Sequence, residues 1–309
     1  MRKQLLLLCF AFVVGMMLFQ SCKKEAASTV PPQVGIFYSI VEKQVAFTSL
    51  TLRATTWSWD FGDGSKSTEM SPVHVYKDGG YYKVKLIGAN AQGDTASAKA
   101  TVAVALTPYA LLTGDYTAAG YAGKKWKLSS GHSTYDKFAN SDATFSTVAA
   151  LSAGVFGTAL GMGEVYDDTY TFYFNGKYEH DVKADGAAFA GLVYASVTNA
   201  AGIKNMGGKG YGLCTCKYTP QTGATFTYVA NEDFKVPSVY GSGGVVTYAG
   251  VSTLDFSGTE FVGFMDFQRK VIVQEVTDNT MRLVMFAALS ASNAPKNSHA
   301  LILTFEAVK

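Results

Sequence analysis

The stretch Trp57-Ser-Trp-Asp-Phe-Gly-Asp-Gly64 decides the fold of the first part of this 309-residue chain. Aromatic and polar residues alternate from Trp57 to Phe61, which is typical of a half-buried strand, and Asp63-Gly64 has the chemistry of a tight turn. On both sides, from Val34 to Ala105, short alternating runs are separated by Gly, Asp and Ser clusters. We therefore predict an all-β domain over residues 34–105.

Further segments of this domain follow in a fixed order. They are Pro72-Val-His-Val-Tyr76, Gly80-Tyr-Tyr-Lys-Val84, the turn Asn90-Ala-Gln-Gly93 and the closing run Thr101 to Val104. Together with Trp59 to Gly64, this order and spacing resemble the PKD family. The resemblance covers about a quarter of the chain and implies an immunoglobulin-like sandwich of about seven strands. It also implies a spacer, an adhesive module or a binding module rather than a catalytic domain.

Two acidic residues and one histidine of this domain are candidate ligands. Asp60 and Asp63 lie in a turn, where carboxylates suit calcium, but the repeated acidic positions of a dedicated calcium loop are missing. We favour turn-forming aspartates and expect no cofactor, with calcium left open. His74 lies between the apolar strand residues Val73 and Val75, so we expect a structural, hydrogen-bonded histidine.

The N-terminus is typical of an export signal. Arg2 and Lys3 precede an apolar run from Leu5 to Phe19, which is too short to span a bilayer comfortably as a helix. A basic start, an apolar core and the small residue Ser21 before Cys22 instead indicate cleavage between those two residues. Ordinary signal cleavage and an uncleaved anchor helix are the alternatives to lipid attachment.

The cleavage region resembles a lipobox, which implies a signal peptide over residues 1–21 and a diacylglyceryl group on Cys22. Several acyl chains on one cysteine would hold the protein on a membrane, because each buried methylene contributes about 0.8 kcal/mol. The charged run Lys23-Lys-Glu25 resembles the outward-export signals of Bacteroidota lipoproteins. The tether over 22–33 is small and polar and contains two prolines. We expect a lipid-anchored protein of the outer membrane, exposed at the cell surface.

After a linker over 106–113, strand patterns continue through residues 114–309, and this length suits one large β-sandwich or jelly roll. The clearest element is the pair of alternating runs on either side of Asn175-Gly176, a strong hairpin signal. A two-residue turn would place Tyr173 opposite Tyr178. Aromatic rings would then lie on both faces of the strand. Either other parts of the domain cover both faces of the sheet, or one face presents its rings in a groove where a sugar could stack.

The order of strands after residue 114 resembles the C-terminal β-domain that follows PKD modules in glycan-binding surface lipoproteins of polysaccharide-utilisation systems. Lys125-Trp-Lys-Leu128 and Val165-Tyr-Asp-Asp168 are among the matching patches. Trp126 alternates with lysines, so core packing is the favoured role for it. From the hairpin and the second patch we take five candidate ligand-binding residues, namely Tyr166, Asp167, Asp168, Tyr173 and Tyr178.

The sequence offers no catalytic constellation. It contains no G-x-S-x-G and no H-E-x-x-H. The nearest acidic groups, around Glu164 and at Glu232-Asp233, do not form the alternating carboxylates of a jelly-roll glycosidase. Cys214-Thr-Cys216 is expected to form buried thiols or a strained local disulfide rather than a metal site, because zinc needs two further ligands.

The composition fits a folded protein and excludes nucleic acid as an electrostatic partner. Apolar residues make up 48% of the chain, which is enough for packed cores. Loss of Arg2 and Lys3 with the signal leaves 24 basic against 24 acidic residues. The predicted export signal and the two family resemblances imply a non-enzymatic surface lipoprotein that binds a polysaccharide or oligosaccharide for an outer-membrane transporter complex. The alternatives are a structural or adhesive protein that binds protein or matrix, and a divergent glycosidase.

Overall fold

The computed structural model describes residues 30–309, so the predicted signal and the predicted lipidation site at Cys22 lie outside the described residues. Contacts divide the described chain into two compact units, one with 30–39, 45–74 and 84–100, the other with 40–44, 75–83 and 101–309. Strands dominate both, as predicted. None of the helices within residues 30–309 is long and apolar enough to cross a membrane.

The N-terminal domain is a seven-stranded immunoglobulin-like sandwich. Its strands are β1 (Gln33–Val41), β2 (Gln44–Leu52), β3 (Thr56–Asp60), β4 (Lys66–Ser67), β5 (Val73–Val75), β6 (Gly80–Ala89) and β7 (Thr95–Val104). One sheet has the order β1-β2-β5 and the other has the order β4-β3-β6-β7. This number of strands and the two sheets confirm the predicted fold class for the first domain.

Trp59 is the centre of this sandwich. It lies opposite Leu86 in the antiparallel pair β3–β6, and its side chain is fully buried. Its ring packs 5.3 Å from that of Phe47, and its indole Nε1 donates a hydrogen bond to the carbonyl oxygen of Glu69 at 2.9 Å. The alternation from Trp57 to Phe61 thus places a large apolar ring in the core while its one polar atom is satisfied.

The C-terminal domain begins with helix α1 (Pro108–Thr113), which lies in the predicted linker. Its large sheet contains β8 (Lys124–Leu128), β9 (Lys137–Asn140), β10 (Thr147–Ala150), β11 (Thr169–Phe172), β12 (Tyr178–Asp181), β16 (Phe226–Pro237), β17 (Val245–Phe256), β18 (Val271–Val276), β19 (Thr280–Ala287) and β20 (His299–Ala307). A small sheet contains β13 (Ala187–Gly191), β14 (Ile203–Asn205) and β15 (Leu213–Lys217). The other helices are α2 (Val155–Thr158) and α3 (Leu192–Thr198), with 3-10 turns at Gly163–Tyr166, Ala200–Gly202, Lys209–Tyr211 and Ser242–Gly244.

The ten-stranded sheet has the order β12-β11-β8-β20-β19-β18-β17-β16, and β9 pairs with β20 and with β10. The small sheet has the order β13-β15-β14. Apolar residues from one face of the large sheet, from the small sheet and from the short helices form the main core; among them are Trp126, Phe156, Phe189 and Leu303. Trp126 therefore packs in the core, as expected, and the domain is a large β-sandwich.

The hairpin at Asn175-Gly176 exists, but its predicted register is wrong. Tyr173 and Lys177 close a three-residue loop, since the Tyr173 N–H donates to the Lys177 carbonyl oxygen at 3.0 Å. Gly176 has a φ of +84°, the left-handed conformation that such a loop requires. Tyr178 consequently lies opposite Phe172 rather than Tyr173. A shift of one residue moves a side chain to the other face of the sheet, so Tyr178 enters the core.

The second face of the large sheet carries a smaller apolar cluster. Phe234, Tyr248, Ile272 and Phe286 are among its buried members, and Phe145 from the loop between β9 and β10 packs against them. Next to this cluster the same face carries the polar, solvent-accessible side chains of Lys137 on β9, Gln274 on β18 and Arg282 on β19. This boundary between apolar and polar halves is where the candidate site lies.

Candidate functional site

A cleft of about 320 Å³ opens on the second face of the ten-stranded sheet. Ile302 of β20 lies directly opposite Lys137 of β9 and Val284 of β19, so side chains from three neighbouring strands point to the same side. The cleft is lined by Thr134, Tyr135, Lys137, Thr144, Phe145, Thr147, Gln274, Arg282 and Ile302. Two aromatic rings, three threonine hydroxyls, an amide and two cations therefore surround one apolar residue, Ile302, at the floor of the cleft.

Tyr135 presents an aromatic ring at this cleft. The residue is 66% exposed, and the Arg282 guanidinium carbon lies 4.5 Å from the centre of its ring. Arg282 is held in turn by Gln274, whose Oε1 accepts from Nε at 3.2 Å, and by Glu275 at 2.9 Å. One face of the ring is thus supported by a fixed cation, while the exposed remainder is available to a ligand.

The backbone beside Tyr135 is fixed by the buried carboxylate of Asp136. Asp136 accepts hydrogen bonds from His132 Nδ1 at 2.9 Å, from Ser133 Oγ at 2.5 Å and from both the N–H and the hydroxyl of Thr304 at 2.9 and 2.6 Å. Burial acts to raise the pKa of Asp136, but these hydrogen bonds outweigh it and lower the pKa. The loop that carries Tyr135 is therefore tied to strand β20 by an ionised, fully buried side chain.

The opposite wall of the cleft is also ordered. Phe145 stacks on Tyr248 with ring centres 4.7 Å apart and an interplanar angle of 6°. Lys137 donates from Nζ to the Phe145 carbonyl oxygen at 2.7 Å and to Thr147 Oγ1 at 3.3 Å. Asp142 binds the backbone N–H groups of Thr144 and Ser146 within the same loop. The cleft is preformed, because both walls are fixed by contacts that involve no ligand.

The chemistry of the cleft suits a polyhydroxylated ligand. Small-molecule sites combine apolar and aromatic walls with a few polar groups that fix orientation. A tyrosine ring offers an apolar face, and a ligand that has C–H groups on one side and hydroxyls around its edge can pack on it. Threonine hydroxyls, Gln274 and the cations then lie within the same cleft as hydrogen-bonding partners.

The five predicted ligand-binding residues do not meet at one surface. Tyr178 is 1% exposed and its hydroxyl donates to the Phe261 carbonyl oxygen at 2.6 Å. Asp168 is also buried, and Tyr166 is half-buried, with its hydroxyl 2.9 Å from His132 Nε2. Asp167 is exposed, whereas Tyr173 is half-buried and donates to Glu179 at 2.6 Å. Tyr178 and Asp168 cannot contact a ligand at the surface, because both side chains are buried in the interior of the domain. For Tyr178 the cause is the register of the hairpin.

His180 lies in a buried cluster with two carboxylates. Its ring nitrogens lie 3.5 Å from Glu260 Oε2 and 3.9 Å from Asp168 Oδ2, and all three side chains are at most 2% exposed. Burial raises the pKa of Asp168 to about 6. Burial acts to lower the pKa of His180, but the two carboxylates outweigh it and raise the pKa. These side chains are buried, so a substrate in solution does not contact them in this structure.

The candidate ligands of the first domain, Asp60, Asp63 and His74, make hydrogen bonds within the turn that carries the two aspartates and between that turn and strand β5. Asp60 accepts from the Gly62 N–H at 3.0 Å, and Asp63 accepts from the Ser65 N–H at 2.9 Å and contacts His74 Nε2 at 2.7 Å. These are the contacts of turn-forming aspartates and of a structural histidine, which are the roles that the sequence favoured. Across residues 30–309, no group of three or more His, Cys, Asp or Glu side chains is arranged to hold a metal ion. The expectation that no cofactor is needed, with calcium left open, stays a prediction.

Cys214 and Cys216 are both buried and both free, so the disulfide alternative is not realised in this structure. They lie on one face of β15 among small and aromatic apolar side chains that include Ala188, Ala190 and Phe261. Burial raises the pKa of Cys214 to about 12 and also raises that of Cys216. Both residues are therefore protonated thiols in an apolar layer, the first of the two predicted arrangements.

Comparison with known proteins bears on the first domain. The family model described as PKD domain matches residues 39–105, which contain strands β2 to β7 of the sandwich around Trp59. The N-terminal domain is a PKD domain. A structure titled "Crystal structure of the PKD1 domain of Vibrio anguillarum Epp" is 24% identical, covers 25% of this chain and 98% of that one, and has a TM-score of 0.25.

The curated relatives match over the PKD segment. Collagenase ColQ1 of Bacillus cereus (strain Q1) is 34% identical over 94 residues, which are 28% of this chain and 10% of the collagenase. Microbial collagenase of Vibrio alginolyticus is 48% identical over 46 residues, which are 15% of this chain and 6% of that protein. The chain thus spans a tenth or less of the length of these relatives.

A solved structure also aligns with most of the chain. It is titled "Structural basis for the promiscuous specificity of the carbohydrate-binding modules from the beta-sandwich super family", is 15% identical, and has a TM-score of 0.26. The alignment covers 91% of this chain and 93% of that one.

Arg282, Gln274 and Tyr135 were not among the residues that the sequence predicted to bind a ligand. Tyr135 is one of four Tyr or Phe residues between Gly131 and Gly161, and its immediate neighbours do not distinguish it from the others. No local pattern could have paired it with Arg282, because strand β19 is brought to the loop only by the order of strands in the sheet.

Proposed function

We propose that this protein is a non-catalytic, lipid-anchored protein of the outer-membrane surface whose C-terminal domain binds a polysaccharide or oligosaccharide for uptake. The observation that carries the binding role is the exposed ring of Tyr135, backed by Arg282 in a preformed cleft of about 320 Å³. The PKD domain spaces this cleft from the membrane anchor at Cys22. An outer-membrane transporter complex is the proposed recipient of the glycan.

Three features support a sugar as the ligand. The exposed ring offers an apolar face, the surrounding threonine hydroxyls and amide offer hydrogen bonds, and the apolar floor at Ile302 is small. The cleft is open, which suits an internal segment of a long chain rather than a fully enclosed small molecule. The walls are fixed before the ligand arrives, so binding requires little ordering of the protein.

The first experiment is a screen of recombinant protein from Glu25 onward against soluble α- and β-glucans, xylans, mannans, pectins and host glycans by affinity electrophoresis, with calorimetry on each hit. We expect selective retardation by at least one polysaccharide. Tyr135→Ala should raise the Kd of that polysaccharide about two- to twelvefold, since aromatic contacts are worth about 0.5–1.5 kcal/mol beyond the buried area. Tyr240→Ala is the matched control, because Tyr240 is 48% exposed and lies outside the cleft.

Two results would oppose the proposal. Absence of retardation across the whole panel would favour the adhesive or structural role, and retardation that Tyr135→Ala leaves unchanged would move the site elsewhere. The anchor is tested separately by metabolic labelling of the full chain with an alkyne-bearing fatty acid. Labelling should be lost in Cys22→Ala, and labelling that persists in this variant would exclude Cys22 as the lipidated residue.

A second function, adhesion to another protein, is favoured by one feature of the PKD domain. Phe37 of β1, Leu50 of β2 and Val73 of β5 are 60%, 57% and 58% exposed and alternate with inward-facing residues. Exposed apolar faces of this kind are found at protein interaction sites. Replacing Leu50 with Ser should abolish capture of such a protein partner and should leave polysaccharide retardation unchanged.

A further inference from the structure

A second cavity system lies on the other side of strand β9 from the Tyr135 cleft. Successive side chains of a strand point to opposite faces, so Phe138 faces away from the side that Lys137 occupies. Phe138 lines two cavities at once, an apolar pocket of about 190 Å³ and a more open cleft of about 380 Å³. Tyr211 is the second residue common to both, and it stands between them with 58% of its surface exposed.

Tyr211 is presented by the glycine-rich loop Gly207-Gly-Lys-Gly-Tyr-Gly212. A Cβ atom on Gly207 would lie 1.7 Å from the Leu160 carbonyl oxygen, and one on Gly208 would lie 2.8 Å from Met162 Sδ. Both positions therefore require glycine, because the loop packs directly against the chain beneath it. This close packing fixes the loop and leaves its two large side chains, Lys209 and Tyr211, on the exposed side.

The side chains that line the 190 Å³ pocket are all apolar, apart from the hydroxyl of Tyr211. Buried core residues and the residues around helix α2 line it, among them Phe156, Leu160, Leu213 and Leu301. An apolar protein cavity of about 150 Å³ is known to take up benzene. A pocket of this size and lining accommodates one aromatic ring or an alkyl chain of similar volume.

The neighbouring cleft is lined by a positive charge and by no negative charge. Lys209 is the one charged side chain among its lining residues, and no carboxylate lines it. His299 also lines this cleft and stacks on Phe138 with ring centres 4.8 Å apart. Burial lowers the pKa of His299, so its ring is neutral near pH 7 and leaves Lys209 as the cation of the cleft.

We propose that the two cavities beside Tyr211 form one binding site for a small anionic amphiphile. Its ring or short alkyl chain fills the apolar pocket, and its carboxylate lies in the cleft beside Lys209. This site is separate from the proposed glycan cleft, since the two lie on opposite faces of β9. It gives the second domain a capacity to bind an apolar acid that does not depend on whether a glycan binds at Tyr135.

The test is calorimetric titration of the protein from Glu25 onward with three probes that share one apolar group, namely 3-phenylpropionate, 3-phenylpropan-1-ol and 3-phenylpropylamine. We expect saturable binding with the carboxylate tightest and the amine weakest. Lys209→Gln should remove the advantage of the carboxylate over the alcohol, about two- to fivefold for an exposed charge, and leave the alcohol unchanged. Lys235→Gln is the control for loss of one positive charge elsewhere.

The pocket itself is tested by filling it. Ala159 and Ala150 both line the pocket and are both exposed, so Ala159→Phe and Ala150→Phe place a ring in it with little risk to the fold. Each variant should weaken all three probes at least tenfold, whereas Ala249→Phe, at an exposed position outside the pocket, should weaken none. The proposal is overturned if the unaltered protein binds none of the probes, if both filled variants bind them as before, or if carboxylate and amine bind equally.

Discussion

Replacing Asp266 with asparagine should remove a large part of the pH dependence of this protein's stability. The carboxylate of Asp266 is fully buried. It accepts hydrogen bonds from the N–H of Phe267 at 2.7 Å and of Ala288 at 3.3 Å, and no cation pairs with it among the described residues. Burial raises its pKa from 3.8 to about 7, and the two hydrogen bonds oppose the rise without cancelling it.

The sign and size of the effect follow from this pKa. Between pH 3.8 and about 7 the unfolded chain ionises at this position while the folded protein keeps its proton. The contribution of Asp266 to the free energy of unfolding therefore falls as pH rises through this window and is constant beyond it. A pKa of about 7 instead of 3.8 corresponds to about 4 kcal/mol in total, of which about 3 kcal/mol falls between pH 5 and pH 8.

The measurement is urea unfolding of the unaltered protein and of Asp266→Asn at pH 5 and pH 8, followed by tryptophan fluorescence, to which Trp126 of the second domain contributes. The unaltered protein should lose about 3 kcal/mol more than the variant between the two pH values. Any cost of the lost hydrogen-bond acceptor is the same at both pH values and cancels. Asp255→Asn is the matched control, since exposed Asp255 makes the same contact with the next backbone N–H at 2.9 Å. Equal pH dependence in the protein and in Asp266→Asn would refute the argument.

Two further predictions concern the buried polar groups. Asp136→Asn should lower the free energy of unfolding by about 2–3 kcal/mol in urea, because an amide cannot accept all of the hydrogen bonds that reach this carboxylate; a loss below about 0.5 kcal/mol would contradict its role in fixing the Tyr135 loop. Cys214 and Cys216 should react with Ellman's reagent at pH 8 only after urea is added, since both are buried with raised pKa values. Fast reaction of the folded protein would show that β15 opens.

The proposed glycan cleft and the proposed amphiphile site can be tested independently of each other, although both lie in the second domain. Tyr135→Ala should affect polysaccharide retardation alone, and Ala159→Phe should affect the phenyl probes alone. Loss of both activities in either variant would point to misfolding of the second domain, which circular dichroism would detect. The pair of variants therefore separates failure of one proposal from failure of the other.

The sequence predicted well where neighbouring residues determine the structure. The run from Trp57 to Gly64 predicted a strand followed by a turn, and the sandwich forms around Trp59. The closing run from Thr101 to Val104 lies in strand β7, and the runs on either side of Asn175-Gly176 form β11 and β12. Alternation of apolar and polar residues is a property of one strand alone, so it can be read without knowledge of the partner strand.

The predicted binding residues depended instead on register and on distant partners. Tyr178 was assigned to a shared face with Tyr173, but closure of the loop by Lys177 shifted the pairing by one residue and turned Tyr178 into the core. Local sequence marks the turn at Asn175-Gly176 without fixing whether two or three residues form it. A one-residue change in the loop reverses the face of every following side chain.

The sequence by itself thus determined the β-class, the PKD motif, the turn chemistry and the alternation that buries Trp59 and Trp126. Only the tertiary structure decided that Arg282 lies under Tyr135, that His180 meets Asp168 and Glu260, and that Asp266 is sealed from water. The physical reason is that local patterns reflect the period of a single strand. Clefts and buried charges, by contrast, arise where strands far apart in the chain become neighbours in a sheet.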